Sequence, residues 1–195
     1  MLASDINTYF DNVVRTIANM PLPTIDRIVG VLMQAYESNR MIYLFGNGGS
    51  AALASHFACD LGKGAANGSG KRFQVLAFTD NVPLLTAWAN DARYEDIFAE
   101  QLVNFVRPND IAFAISGSGK SPNVLKALRV AREAGAFNIG LTGFHGGDMK
   151  HLCDLCLIIP SENMQIIEDL HLSVTHAIFT ALRATIRLQN GEAVA

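Results

Sequence analysis

The chain has 195 residues, of which 50% are hydrophobic and 17% are charged, and its formal net charge is -3 at pH 7. This balance is typical of a globular protein and argues against long disordered segments. The mild acidity argues against a nucleic-acid-binding protein, which usually carries a basic patch and a high isoelectric point.

No apolar run reaches the length that spans a membrane, and the first twenty residues lack the basic and apolar regions of a signal peptide. We therefore expect a cytoplasmic protein whose cysteines are reduced. Cys153 and Cys156 form a C-x-x-C pair, but the pair leads into an apolar run, whereas redox pairs usually open a helix. We interpret both, together with Cys59, as structural thiols.

Residues 1–40 are predicted to form two helices. Apolar residues recur at helical spacing from Ile6 to Ile17 and again from Ile28 to Tyr36, and Pro21 lies between the two patterns. We expect this helical pair to pack on the rest of the chain, residues 41–195, or on a partner subunit.

From residue 41 onward, short apolar runs alternate with helical stretches. The runs are bounded by turn residues and rich in β-branched or aromatic side chains, which indicates buried strands. The segments between most of them are long enough for crossover helices, so we predict an α/β fold: a three-layer sandwich around a five-stranded parallel sheet. The predicted strands are 41–45, 73–78, 111–115, 137–141 and 155–159, and a long helix at about 164–187 closes the chain.

Residues 62–72 (GKGAANGSGKR) form a Gly-rich polar stretch. We expect a tolerated surface insertion. The alternative is a lid whose Lys63, Lys71 or Arg72 meets an anion.

Two Gly/Ser loops follow predicted strands. The first is GNGGS at residues 46–50, and the second is SGSGKS at residues 116–121, followed by Pro122 in the first turn of a helix. Glycines permit close backbone approach, and a helix N-terminus offers free N–H groups to an anion. Since ligands bind at the carboxyl ends of parallel strands, two such loops predict a phosphate-binding site.

Two nucleotide-binding motifs match only in part. Residues 46–51 fit the dinucleotide fingerprint with Ala51 in the third place, but the next predicted strand ends at Asp80, too far along for the acidic residue that the motif requires. Gly119-Lys120-Ser121 resembles the end of a nucleotide-triphosphate loop, but Ala114 stands where that loop needs glycine.

Ionisable residues that could perform chemistry lie on two helices. His56 and Asp60 are four residues apart, which places them on one helix face as acid/base groups, metal ligands or a simple hydrogen-bonded pair. In the last helix, Glu168 and Asp169 fall in the first turn, where the helix dipole favours acidic groups. His171 and His176 follow among aliphatic neighbours, where a histidine is commonly a satisfied buried group.

The order of these motifs resembles the SIS-domain phosphoheptose isomerases. The resemblance rests on GNGGS, AxxxHFAxD, TDN, AWANDARYEDIF, SGSGKSPNV, LTGFHGGDM and QIIEDLHLSVTH, and it extends from about Met41 to Leu182. It implies a flavodoxin-like SIS domain that assembles as a homotetramer and binds one zinc ion per subunit. It also implies conversion of sedoheptulose 7-phosphate to D-glycero-D-manno-heptose 7-phosphate through an enediolate, feeding heptose synthesis for surface glycans.

The resemblance also implies roles for individual residues. Catalysis is implied for Asp60, Glu168 and His176, and zinc binding for His56, Asp60, Glu168 and His176. Substrate contacts are implied for Asn47, Gly48, Gly49, Asn90, Asp91, Ser116, Gly117, Ser118 and Ser121.

The chain departs from the family pattern at three positions. Asp60 replaces the glutamate that serves as base, Glu168 replaces a glutamine, and Gly64 stands where an arginine is usual, with Lys63 adjacent. Either carboxylate could remove the substrate proton. About 12 Å of helical rise separates Glu168 from His176, so both reach one ion only if Glu168 precedes regular helix or different subunits contribute.

These departures leave two alternatives to a heptose isomerase. One is a non-catalytic SIS protein that senses a phosphosugar or acts as a protein scaffold, like the relatives that bind the replication initiator. The other is an isomerase of a different phosphosugar, such as a hexose or pentose.

Overall fold

A computed structural model describes residues 2–64 and 71–191. One parallel sheet of five strands, in the order β2-β1-β3-β4-β5, forms the middle layer. The strands are β1 (Met41–Gly46), β2 (Gln74–Ala77), β3 (Ile111–Ile115), β4 (Phe137–Thr142) and β5 (Leu155–Ile158). The helices are α1 (Leu2–Ala18), α2 (Leu22–Glu37), α3 (Gly49–Cys59), α4 (Val82–Asp91), α5 (Ala99–Phe105), α6 (Pro122–Glu133) and α7 (Met164–Gln189). The α/β sandwich expected from the alternating pattern is confirmed.

Both faces of the sheet are covered. Alternate residues of β1 point to opposite sides, so Ile42 and Leu44 pack with α2, α3 and α7, whereas Tyr43 and Phe45 pack with α5 and α6. This two-sided burial explains why the strands read as continuous apolar runs rather than as alternating ones. No helix in the described part of the chain combines the length and apolarity needed to cross a bilayer.

The strand order reverses direction at β1. The chain leaves β1 to build β2 on one side and then returns to build β3 on the other, with Gly46 in register with Ile115. The carboxyl ends of β1 and β3 therefore form the topological switch point, the place where open α/β sheets bind their ligands. Both Gly/Ser loops leave the sheet at this point.

The two N-terminal helices differ in their packing. In α2, Ile28 and Leu32 are fully buried in the same core as the sheet. By contrast, α1 exposes Ile6, Phe10, Val14 and Ile17. A hydrogen bond from the Tyr9 hydroxyl to Asp169 ties α1 to α7 and raises the pKa of Tyr9 to about 12.

The Gly-rich stretch at residues 62–72 is described only at its two ends, since residues 65–70 lie outside the described residues. Asp60–Gly64 forms a π-helical turn that continues α3. At the other end, the Lys71 ammonium donates to the Glu37 carbonyl at 2.9 Å and lies 4.9 Å from the centre of the Tyr36 ring.

The buried carboxylate of Asp110 joins the starts of β1 and β3. Asp110 is 3% exposed and accepts hydrogen bonds from the backbone N–H groups of Met41, at 3.1 Å, and Arg107, at 2.8 Å, and from the Tyr43 hydroxyl, at 3.3 Å. Burial, followed by the Asp110 charge, raises the pKa of Tyr43, so the phenol stays a donor. This network holds the two strands that carry the loops in register.

Replacing Asp110 with Ala should lower the free energy of unfolding by about 2–4 kcal/mol, because three donors around a buried carboxylate lose their charged acceptor. Urea denaturation followed by circular dichroism measures the change. Asp11→Ala on the exposed face of α1 is the matched control and should stay within about 0.5 kcal/mol of the parent protein. Equal effects of the two substitutions would contradict this role of Asp110.

Candidate functional site

The two Gly/Ser loops touch where β1 and β3 end. A side chain at Gly46 would place its Cβ 2.5 Å from the Ile115 carbonyl oxygen and 2.8 Å from the Ser50 Cβ, so only glycine fits. In the first loop Gly48 has φ of 54°, a conformation that glycine adopts without strain, and α3 begins at the next residue. The free N–H groups of the first turn of α3 therefore open at the switch point.

The side chain of Asn47 is engaged within the protein. Its amide exchanges two hydrogen bonds with the amide of Asn123, at 2.9 and 2.8 Å, and also accepts one from the Tyr94 hydroxyl at 3.0 Å. Asn123 is 2% exposed and lies in the first turn of α6, directly after the second loop. The Asn47 side chain thus fixes one loop to the other, a role that the sequence analysis missed for Tyr94 and Asn123.

The second loop forms a small polar cradle. The hydroxyls of Ser116 and Ser121 lie 3.3 Å apart, and the Lys120 N–H donates to the Ser118 hydroxyl at 3.2 Å. A Cβ on Gly117 would meet the Met164 sulfur at 2.5 Å, so the loop packs directly on the first turn of α7. Hydroxyls and backbone N–H groups converging at a helix N-terminus can hold a phosphate without a cationic side chain.

Three metal-ligating side chains converge between α3 and α7. The Nε2 atoms of His56 and His176 lie 2.9 Å apart, and Oδ2 of Asp60 lies 3.4 Å from the first and 3.9 Å from the second. Within the described residues, this buried Asp60 oxygen has no hydrogen-bond partner. Asp60 opens the π-helical turn, a helix irregularity that is frequent at functional sites.

The donor set of His56, Asp60 and His176 fits a small divalent metal ion. Ligand atoms at about 2.0–2.1 Å from a tetrahedral zinc lie about 3.3–3.4 Å from one another, close to the separations seen here. Three protein ligands also leave a fourth position for water or substrate, as in catalytic sites. The arrangement can therefore hold a metal ion, and the orphaned Asp60 oxygen gives a reason why one would bind.

Glu168 lies outside this cluster of three ligands. Regular helix begins at Met164, so Glu168 does not precede it, and the carboxylate instead lies at the N-terminus of α3. A Cβ on Gly49 would lie 3.3 and 3.4 Å from the two carboxylate oxygens, so the glycine makes room for the acid. The carboxylate of Glu168 therefore stands beside the first loop.

Asn90 and Asp91 lie apart from these groups. Both are exposed at the end of α4 and hydrogen-bond to each other at 2.7 Å. Among the described residues, the link between this part of the chain and the loops is the Tyr94 hydrogen bond to Asn47.

A cavity of about 300 Å³ lies between the first halves of α3 and α7. Its walls include Gly49, His56 and Glu168, so it connects the first loop, the carboxylate and the edge of the histidine cluster. His171 also lines it and is buried, as the sequence analysis expected for a histidine among aliphatic residues.

Comparison with known proteins gives consistent matches over most of the chain. A family model for the SIS domain matches residues 8–143. The phosphoheptose isomerase of Bradyrhizobium sp. strain BTAi1 is 38% identical over 165 residues, which cover 85% of this chain and 83% of that protein. The phosphoheptose isomerase of Rhodospirillum rubrum is 40% identical over 156 residues, which cover 80% of this chain and 82% of that protein.

Solved structures agree with the sequence matches. The phosphoheptose isomerase of Francisella tularensis superposes with a TM-score of 0.86 at 26% identity, covering 94% of this chain and 98% of that one. The phosphoheptose isomerase of Neisseria gonorrhoeae gives a TM-score of 0.85 at 27% identity, covering 93% and 98%.

The amide pair between the loops should appear as energetic coupling. In a double-mutant cycle, Asn47→Ala and Asn123→Ala should show an interaction energy of about 1–2 kcal/mol, because either single change already removes the shared hydrogen bonds. Urea denaturation of the four proteins gives this value. A second cycle that pairs Asn47→Ala with Asn90→Ala is the control, expected below about 0.5 kcal/mol, and strict additivity in the first cycle would contradict the assignment.

Proposed function

Because the chain belongs to the SIS domain family, we propose that it is an aldose–ketose isomerase that converts sedoheptulose 7-phosphate to D-glycero-D-manno-heptose 7-phosphate for heptose synthesis. The observation that carries the proposal is the placement of a serine loop beside the first turn of α3, with the Glu168 carboxylate next to Gly49 and a His/Asp/His cluster at the other end of the same helix. Sequence relatives that cover most of this chain, and two solved structures at 26% and 27% identity, are phosphoheptose isomerases.

The second loop is the proposed phosphate site. Ser116, Ser118 and Ser121 offer hydroxyls, and the first turn of α6 offers backbone N–H groups. In the first loop, Gly48 and Gly49 present backbone rather than side chains to the sugar. Asn47 supports this loop through Asn123, and Asn90 and Asp91 are exposed polar groups that could reach the sugar from α4.

Isomerisation through an enediolate requires a base that removes the proton next to the carbonyl and a group that moves protons between the oxygens. Glu168 suits the first role, because its carboxylate stands beside Gly49 in the first loop and outside the metal-ligand cluster. Asp60 remains the alternative base, but its free oxygen faces the two histidines. His176 suits proton transfer on the sugar oxygens.

Zinc is the proposed metal, one ion per subunit, held by His56, Asp60 and His176. When bound, it would polarise the carbonyl and stabilise enediolate charge. Placing Glu168 at the same ion would need a rearrangement of α7 or a contribution from a second subunit, since Glu168 lies at the other end of α3.

Assembly as a homotetramer is also proposed. The exposed apolar stripe of α1 supports it, as does α4, in which none of the ten residues is buried and Val82 is 60% exposed. Apolar surfaces of this kind commonly pack against another subunit.

The parent protein should isomerise sedoheptulose 7-phosphate and exchange the proton at the reacting carbon with deuterated water. Glu168→Gln should lower kcat by about 10²–10⁴, because the amide cannot accept that proton. Glu162→Gln, at the exposed carboxylate 3.2 Å from His145, is the control and should keep full activity. Absence of both turnover and proton exchange in the parent protein would support a non-catalytic phosphosugar binder instead.

The purified protein should contain about one zinc ion per chain by elemental analysis. His56→Ala, Asp60→Asn and His176→Ala should each weaken zinc binding by at least about 100-fold, since changes outside the direct ligands alone cost about 10–100-fold. Glu168→Gln and the remote His145→Ala should retain the metal. Loss of zinc in Glu168→Gln would show that Glu168 is a zinc ligand. Retention of zinc in His176→Ala would contradict the proposed zinc site.

A further inference from the structure

Two cysteines, Cys153 and Cys156, bring their sulfur atoms together at one edge of the sheet. Both are free thiols, and both are partly exposed. Cys156 lies in the edge strand β5, and Cys153 lies just before that strand begins. Because the pair does not open a helix, the C-x-x-C pattern alone does not indicate redox chemistry. The surroundings of the two sulfurs do.

A glycine on the neighbouring strand makes room for both sulfurs. Gly140 of β4 is the partner of Cys156 in the register of the two strands. A Cβ at Gly140 would lie 2.7 Å from the Cys153 sulfur and 3.4 Å from the Cys156 sulfur. The two sulfurs therefore share the space that a side chain at position 140 would fill.

The two sulfurs differ in how readily they ionise. A hydrogen bond from the Cys153 thiol lowers the pKa of Cys156, and the charge of Lys150 acts in the same direction, whereas burial opposes the shift. The same hydrogen bond, followed by burial, raises the pKa of Cys153. A thiolate beside a protonated thiol suits a pair in which one sulfur attacks an oxidant and the other resolves the product.

The turn that precedes Cys153 is hydrogen-bonded to the second Gly/Ser loop. The Cys153 N–H donates to the Met149 carbonyl at 3.1 Å, and the Met149 N–H donates to the Gly119 carbonyl at 3.0 Å. Met149 is fully buried, and its methyl carbon would lie 2.9 Å from a Cβ at Gly140. A displacement of Cys153 therefore reaches the loop through one buried residue.

We propose that Cys153 and Cys156 form a reversible disulfide that weakens the attachment of the second Gly/Ser loop to this turn. The oxidant is a hydroperoxide. The Cys156 thiolate attacks one peroxide oxygen, the oxygen–oxygen bond breaks, hydroxide leaves, and Cys156 becomes a sulfenic acid. The Cys153 sulfur then attacks the Cys156 sulfur, and the sulfenic oxygen leaves as water with the Cys153 proton. The two thiols together lose two electrons, which the peroxide gains.

Closure of the disulfide should disturb the loop. A covalent bond holds two sulfurs closer together than a hydrogen bond does, so closure draws Cys153 and its turn toward β5. The hydrogen bond between Met149 and Gly119 then weakens. Since this loop is the proposed phosphate site, the expected effect on ligand binding rests on the proposed function, whereas the disulfide itself does not.

Peptide mass spectrometry after treatment with hydrogen peroxide tests the disulfide. The Cys59→Ser protein is used, because the exposed Cys59 could pair between molecules. The peptide that contains Cys153 and Cys156 should lose two hydrogen atoms and regain them with dithiothreitol. Cys156→Ser in the same background is the matched control and should show no such reversible loss. Two thiols that stay free in peroxide, or oxidation of Cys156 without a cross-link, would overturn the inference.

Hydrogen exchange tests the connection to the loop without any ligand. In the cross-linked protein, the Met149 N–H should exchange at least about tenfold faster than in the reduced protein, because its bond to Gly119 opens more often. Cys156→Ser should show the same exchange with and without peroxide. Unchanged exchange in the cross-linked protein would overturn the effect on the loop.

Ligand binding separates this inference from the proposed function. Calorimetry with sedoheptitol 7-phosphate, the reduced alcohol that cannot be isomerised, should give a Kd about 10–100-fold higher for the cross-linked protein than for the reduced protein. This is the size of effect that a displacement of about 1 Å can cause in an active site. Equal Kd values in the two redox states would overturn the inference. Absence of binding by the reduced protein would instead contradict the proposed function, and the disulfide and its effect on hydrogen exchange would stand.

Discussion

The parallel pairing of β1 with β3 is the constraint on which the site depends. It brings together two loops that are 70 residues apart at their first positions, Gly46 and Ser116. Hydrogen bonds to Asp110 hold the starts of the two strands together. At their ends, Gly46 packs so closely on the Ile115 carbonyl that no side chain fits between them. The proposed phosphate cradle in the second loop and the N-terminus of α3 can face one ligand only because the two loops lie so close together.

The second organising element is the side-by-side arrangement of α3 and α7. Glu168 lies next to Gly49 at the start of α3, and His176, further along α7, lies next to His56 near the end of α3. The Glu168 carboxylate thus lies at the start of α3, and the cluster of candidate metal ligands lies at the end of α3. This separation explains how the chain can carry an aspartate and a glutamate at positions where the phosphoheptose isomerase pattern has a glutamate and a glutamine. Asp60, the shorter acid, lies beside His56 and His176, and Glu168, the longer acid, lies beside Gly49 in the first loop.

Much of the fold and part of the site could be predicted from the sequence. The five strands are apolar runs because both faces of the sheet are covered, and the His56–Asp60 pair follows from helical spacing. The hydrogen bonds between Asn47 and Asn123 could not be predicted, because the two residues are distant in sequence. They meet only because the folded sheet places the starts of α3 and α6 side by side. These hydrogen bonds depend on how the start of α6 packs beside the first loop, which periodicity does not reveal. The hydrogen bond from Tyr94 to Asn47 could not be predicted either, since an aromatic ring gives no sign of where its hydroxyl will point.

The close contact at Gly46 has a consequence for how this protein can diversify. Any side chain there would strike both the Ile115 carbonyl and Ser50, so the backbones of the two loops cannot shift independently. Under the proposed function, new sugar preferences would therefore arise from side chains around the rim, such as those on α4 and α7, while the backbone of the proposed phosphate site stays constant. A scaffold of this kind can change the length or stereochemistry of the sugar that it accepts without rebuilding the two loops.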